Sequence, residues 1–269
     1  MNILCVGDVC GSAGCDFLLR ALPVLKRNEK IDCCIVNGEN SADGNGITPG
    51  SAEMLFAAGA DIITGGNHTL RRREVFPLLD SNDMMLRPHN MQAEHGIGYT
   101  VCDLGFTKIA VINLLGRVYM PDAGNPFEAA DDLLRKAAVE KVPITVVDFH
   151  AEATSEKRAL AEYLDGRVSA VFGTHTHVPT ADECVLKKGT GFISDVGMTG
   201  PLDSILGVET ELSLKKIKDD LPVRFRIADG LCKTDCVVFG IDKTTGKTKS
   251  VKRITLNEND LKTYGRNSK

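Results

Sequence analysis

Short apolar runs, each closed by a polar, glycine-rich segment, recur along much of the chain. Asn2 to Val6, Ile31 to Val36, Ala60 to Thr64, Thr107 to Leu114, Ile144 to Phe149 and Val168 to Phe172 read as buried strands. They are apolar and largely β-branched, and glycine or polar clusters bound them. Between them fall helical patterns: about 16–27, then Thr48 to Ala58 with Pro49 near its first turn, then Arg71 to about Leu79. Phe127 to Glu140 follows, with Phe127, Ala130, Leu133, Leu134 and Ala137 on one face, and then a helix to Leu164 capped by Thr154 or Ser155. Further strands are predicted at Met84 to Leu86, Gly98 to Leu104, near 183–187 and 191–194, and at Val223 to Ile227, Thr234 to Ile241 and Lys247 to Leu256. Asp195 to Pro201 reads as a glycine-rich loop, and Asn257 to Lys269 as a polar, poorly ordered tail. With no repeat or linker, βα units leading into a β-rich half predict one α/β domain over residues 1–269, around a large sheet that two layers would accommodate.

Composition narrows the classes. The 269 residues are 43% hydrophobic and 25% charged, which fits a soluble globular protein. A net charge of −4 argues against a strong nucleic-acid surface. No apolar run approaches the ~20 residues of a membrane span. The opening Met-Asn-Ile-Leu-Cys-Val-Gly-Asp lacks a basic segment and reads as a first core strand rather than a signal peptide. The expected location is the cytoplasm. Nine cysteines without a Cys-x-x-Cys pair read as reduced and mostly structural, with Cys10 set apart by its neighbour Asp8.

The chemistry lies at the strand ends. After Phe172 the chain continues Gly-Thr-His-Thr-His, placing His175 and His177 two apart. In an extended segment such residues share a side about 6.6 Å apart. That is wide for one metal and suits two metals ~3.5–4 Å apart. Taken alone, the pair fits unliganded loop histidines equally well. Gly7, Gly11 and Gly14 form a turn of the kind that cradles phosphate, but the spacing misses the dinucleotide fingerprint and Asp8 would repel a pyrophosphate. Asp8 therefore reads as a metal ligand, although by itself a helix N-cap is the commoner role. Glu39 and Asn40 follow the second strand, Asn67 and His68 the third, and His150 ends the strand that also carries Asp148 on the same face. Carboxylate, amide and imidazole ligands suit Mn, Fe or Zn better than Mg or Ca. Four of the six histidines fall in this set; His89 and His95 do not. Eight side chains exceed what one metal needs and fit two metals sharing a carboxylate, and with no cysteine pattern a structural zinc site is not indicated. Arg71, Arg72 and Arg73 offer positive potential for an anionic substrate, with a solvated face the simpler reading for at least two of them.

These motifs resemble the calcineurin-like metallophosphoesterases, and most closely their YmdB-like bacterial branch. Gly-Asp-Val-x-Gly-x-x-Gly from Gly7, Gly38-Glu39-Asn40, Gly66-Asn67-His68, Asp148-Phe149-His150-Ala151-Glu152 and Gly173-Thr174-His175-Thr176-His177 occur in the family's order. Asn113 to Val118, Ala151 to Lys157 and Asp195 to Pro201 extend the likeness, which runs to about residue 256. The resemblance implies an α/β fold of two mixed β-sheets flanked by helices, a four-layer αββα sandwich. It implies one metal held by Asp8, Glu39, Asn40 and His177, another by Glu39, Asn67, His150 and His175, with Glu39 bridging and His68 left free as the general acid. Three departures stand out. Cys10 occupies a position that is histidine in many relatives, Glu39 replaces the commoner aspartate, and Leu70-Arg71 stands where the branch commonly has Trp-Asp.

By the same resemblance the expected activity is hydrolysis of a small phosphodiester, a 2′,3′- or 3′,5′-cyclic AMP, by a hydroxide bridging two metals. Iron or manganese is expected, with zinc compatible. Two rivals remain: a phosphomonoesterase or nucleotidase of the same fold, and a regulatory metal- or nucleotide-binding protein with weak turnover. Retention of His68 speaks against the second, since binding alone needs no leaving-group acid. A homo-oligomer stays open, and no membrane partner is expected.

Overall fold

The strands over 2–6, 33–37, 108–115, 144–150 and 170–174 are buried on both faces, so each face needs a partner layer. The computed structural model describes residues 1–120 and 122–264. The chain runs β1 (Asn2–Val6), β2 (Asp8–Val9), α1 (Gly11–Asn28), β3 (Cys33–Asn37), α2 (Pro49–Ala58), β4 (Ile62–Thr64) and α3 (Phe76–Ser81). It continues β5 (Tyr99–Asp103), β6 (Lys108–Leu115), α4 (Pro126–Val139), β7 (Ile144–His150), α5 (Thr154–Leu164), β8 (Ala170–Thr174), β9 (Cys184–Val185) and β10 (Gly191–Ile193). It closes with β11 (Met198–Pro201), α6 (Thr210–Ile217), β12 (Cys232–Ile241), β13 (Thr248–Asn257) and α7 (Glu258–Tyr264).

The strands form two mixed sheets. One has the order β2-β11-β12-β1-β3-β4, with β13 on β12, and the other β5-β6-β7-β8-β10-β9. Alternation along each strand sets the layers. Ile3 and Cys5 of β1 face Ile109, Val111, Val146 and Phe172 of the other sheet in an inter-sheet core. Leu4 and Val6 point the opposite way, onto Phe17, Leu18 and Leu22 of α1. Ile112, Leu114, Val147 and Phe149 pack on Ala130 and Leu133 of α4 and Leu160 of α5. The helix–sheet–sheet–helix order matches the expected four layers.

Several local expectations are corrected. The arginines at 71–73 do not open an α-helix; two short 3₁₀ turns precede α3, and the Arg72 side chain binds the carbonyls of Asp43 and Asn45. Met198–Pro201 is a strand rather than a loop, paired with β12 and β2. Residues 223–227 form no strand; Ile227 makes a single bridge to Val208. The α5 N-cap is Ala153, without a side-chain cap. Within the stretch expected to be poorly ordered, residues 258–264 form α7. The Asn257 side chain accepts from the amides of Asn259 and Asp260. Leu261 and Tyr264 pack against the α1 core, and Glu258 pairs with Arg20 at 2.7 Å. Residues 265–269 lie outside the described residues. Among the described residues no helix is long and apolar enough to cross a membrane.

Candidate active site

The carboxyl ends of parallel strands, where backbone leaves the sheet, are the usual ligand position in α/β folds. Here β1 leads directly into Asp8, β3 into Glu39 and Asn40, and β4 into Asn67 and His68. His150 ends β7, and His175 and His177 follow β8. The backbone crosses close over this region. A Cβ on Gly7 would lie 2.1 Å from the Gly197 carbonyl oxygen, so that glycine serves strand approach. The glycine turn at α1 is not an open phosphate cradle, because the Gly11 amide donates to the Asn40 carbonyl and the Ser12 amide to Asp43.

The eight predicted side chains converge. His150 Nε2 lies 3.0 Å from Asn67 Oδ1, 3.1 Å from His175 Nδ1 and 3.4 Å from Glu39 Oε1. Donor atoms of Glu39, His150 and His175 fall within 4.8 Å of one another. Beside them, His177 Nε2 is 3.7 Å from Asp8 Oδ1 and 3.4 Å from Asn40 Nδ2, while Asn40 Nδ2 donates to Glu39 Oε1 at 2.8 Å. In this orientation the Asn40 oxygen faces His68, and turning the amide over would present it to His177.

The imidazole hydrogens follow from what each outer nitrogen meets. His177 Nδ1 lies 3.1 Å from the Leu206 carbonyl oxygen, which only accepts. His175 Nε2 lies 3.0 Å from the Glu152 carboxylate. His150 Nδ1 is 2.9 Å from the Thr174 hydroxyl, whose single hydrogen goes to buried Asp148 at 2.8 Å. All three outer nitrogens face groups that can accept a hydrogen bond, and all three inner nitrogens face the shared centre. His68 is placed differently: its Nδ1 lies 3.0 Å from Asn40 Oδ1 and 3.1 Å from Glu39 Oε1, and its ring lines a cleft beyond the shared centre.

The charge balance calls for a cation. Asp8 and Glu39 are essentially unexposed, and among the described residues their ion pairs are with imidazoles alone. Asp8 Oδ1 is buried without a hydrogen-bond partner. Burial raises the Asp8 carboxyl despite His177 and His150. For Glu39 burial also pushes upward, but His150 and His68 outweigh it and hold the carboxyl well below its usual range. Burial opposes charge on His150, yet Glu39, Asp8 and Asp148 raise it. Burial and then His150 push His175 down to about 3. A Cβ on Gly66 would sit 2.3 Å from Glu39 Oε2 and 2.4 Å from His150 Nε2, so the glycine keeps that space free of side chain. Inward-facing imidazole nitrogens, an orphaned buried carboxylate oxygen and this reserved space all fit metal ions.

Comparison with known proteins agrees. A family model described as YmdB-like protein matches residues 4–254. The chain belongs to the YmdB-like family. A Bacillus subtilis member named 2′,3′-cyclic-nucleotide 2′-phosphodiesterase is 46% identical, over 97% of this chain and 99% of that one. A crystal structure of a Mycoplasma pneumoniae protein described as a novel phosphatase superposes with a TM-score of 0.89 at 34% identity, covering 96% of this chain and 93% of that one. A Thermus thermophilus protein gives 0.89 at 38% identity, covering 96% and 100%. The architecture is the metallophosphoesterase fold. Sequence reading had placed Asp148 on the His150 face, but it missed Thr174, Glu152 and the Leu206 carbonyl, which fix the imidazoles of this YmdB-like chain. Cys10 rests its sulfur 3.6 Å from His177 Nδ1. Of the three arginines, Arg71 lines the cleft beside His68, Arg72 ties down the 43–45 loop, and Arg73 is exposed.

Proposed function

We propose that this chain is a metal-dependent phosphodiesterase that opens small cyclic nucleotides, 2′,3′-cyclic AMP foremost. Asp8, Glu39, Asn40 and His177 would hold one metal, and Glu39, Asn67, His150 and His175 a second. The observation that carries this reading is the convergence of Glu39, His150 and His175 donor atoms within 4.8 Å of one another, beside the buried, unpartnered Asp8 Oδ1. Mixed oxygen and imidazole donors favour iron or manganese, with zinc compatible. When bound, the metals lower the pKa of a water towards ~7 and neutralise phosphoryl oxygens. The chain's own contribution is positional. Glu39 holds His68 Nδ1, leaving Nε2 as the other nitrogen of a ring that lines a cleft. As an imidazolium, His68 would give its Nε2 hydrogen to the departing oxygen while Nδ1 keeps its hydrogen towards Glu39, help of a kind typically worth ~10²–10⁴-fold. The name of the Bacillus subtilis relative supports the choice of substrate.

The test is turnover of 2′,3′-cyclic AMP, 3′,5′-cyclic AMP, bis-p-nitrophenyl phosphate and adenosine monophosphates by chelated protein reloaded with manganese or iron. Glu39→Gln should abolish diester turnover, and His68→Ala should lower kcat about 100-fold with metal content retained. Turnover of monoesters alone would move the assignment to a phosphomonoesterase. Failure to take up metal would refute it.

A further inference from the structure

The cleft beyond His68 is not absorbed by the chemistry just described. It has a volume of about 500 Å³, and its lining includes His68, Arg71, Met91, Leu115, Tyr119 and Met120. That size lies within the range of about 300–1,000 Å³ usual for small-molecule sites. The aliphatic side chains form its floor: Leu115 and Met120 are buried together and Met91 packs on them. Tyr119 stands at the rim in a different state, 89% exposed and with backbone φ of +59°. Left-handed backbone is unfavourable for a non-glycine residue, and here burial of the ring does not offset that cost.

The direction of the reaction says what occupies the cleft. When water adds to the phosphorus of a 2′,3′-cyclic phosphate, one P–O bond to ribose breaks. The departing oxygen takes a proton to become a ribose hydroxyl, and the phosphate stays on the other ribose oxygen. The departing oxygen thus belongs to the nucleoside, which remains attached to phosphorus through its other ribose oxygen. An acid that protonates that oxygen must stand on the nucleoside side of the phosphorus. His68 opens on one side to this cleft, so the nucleoside extends into it. We infer that the cleft is the nucleobase subsite, with the base lying on the Met91–Leu115–Met120 floor under the Tyr119 ring and Arg71 drawing the anionic substrate to the mouth. This assignment rests on the phosphodiesterase reading above. It gives the Leu70-Arg71 departure a place, since Arg71 faces the substrate rather than the metals.

The test separates base recognition from diester chemistry. Steady-state kinetics are measured on 2′,3′-cyclic AMP and on ethylene phosphate, a five-membered cyclic diester without nucleoside. Tyr119→Ala should raise KM for 2′,3′-cyclic AMP about 10-fold, as expected for loss of one stacked base. The preference for 2′,3′-cyclic AMP over ethylene phosphate, as a ratio of kcat/KM, should fall by a similar factor. Tyr119→Phe should restore both. An unchanged KM and preference in Tyr119→Ala would overturn the subsite while leaving the diesterase reading intact. If the wild-type protein turns over no diester, that reading falls, and calorimetry with adenosine 3′-monophosphate decides the subsite. A Kd raised about 10-fold in Tyr119→Ala would uphold it, and no binding or an unchanged Kd would overturn it.

Discussion

Lys157→Met tests how the histidine loop is held. Lys157 on α5 and Asp195 are each 1% exposed, and Nζ lies 2.6 Å from Oδ2. The same carboxylate accepts the Thr176 amide at 3.1 Å and the Gly197 amide at 2.9 Å. Thr176 sits between His175 and His177, whose φ angles are +102° and +64°. Such backbone costs about 1–3 kcal/mol per residue and persists only where surroundings fix it. Methionine keeps the length and removes the charge, leaving Asp195 buried with two amide donors and no counter-ion. Breaking a buried pair costs ~3–5 kcal/mol, and the surviving amides put this case near the lower end. For a chain of this size that lowers Tm by roughly 6–12 °C. The assay is scanning calorimetry at matched metal content, with Asp195→Asn and the double variant completing the cycle. The double variant should recover most of the loss, because no charge is then left unpaired. A Tm within about 2 °C of wild type for Lys157→Met, below one kcal/mol on the same scale, would refute the reasoning.

Other perturbations read other parts of the molecule. Gly66→Ala places a methyl against Glu39 and His150; metal content by mass spectrometry and kcat/KM should both collapse while the circular dichroism spectrum stays native. Thr174→Val removes the acceptor of His150 Nδ1 and a donor to Asp148, and metal affinity measured by titration should weaken ~10–100-fold. Glu29 reports on pH: burial pushes its carboxyl up, but hydrogen bonds from Lys252 and Tyr264 outweigh it and lower the folded value. Its stabilisation is therefore full above the unfolded value of ~4.3 and is lost as pH falls through the lower folded value. Glu29→Gln should lower Tm at pH 7, and the gap to wild type should close in the acid limb of a Tm–pH series.

What the sequence made legible follows from where the chemistry sits. Asp8, Glu39, Asn67, His150 and His175 each stand where an apolar run stops, so pattern and residue type mark them together. The groups that orient them carry no such mark. Thr174 is one β-residue among many, Glu152 is half exposed, and the Leu206 carbonyl is backbone; their roles exist only once β7, β8 and the loop before α6 are side by side. Elements were missed for a related reason. The glycine-rich Met198–Pro201 has little strand character of its own and is a strand because β12 and β2 supply its partners. Residues 223–227 have the character but no neighbouring strand. α6 buries only Ser213, and α7 buries nothing fully, so neither has an apolar stripe to read.

The two kinds of gap meet at the cleft beside His68. Sequence pattern identifies a residue by contrast with its neighbours, and Arg71, one of three consecutive arginines, has none. In the structure the three separate: Arg72 turns back onto the 43–45 loop, Arg73 faces solvent, and Arg71 reaches the cleft that Tyr119 borders. The proposed metal-binding set can be read along the chain because one chemistry demands fixed residue types at fixed strand ends. In the proposed base subsite, substrate choice would rest on residues that meet only across loops, 48 positions apart for Arg71 and Tyr119. Variation at those positions can therefore retune what such an enzyme binds without touching Asp8, Glu39 or the three inward-facing histidines.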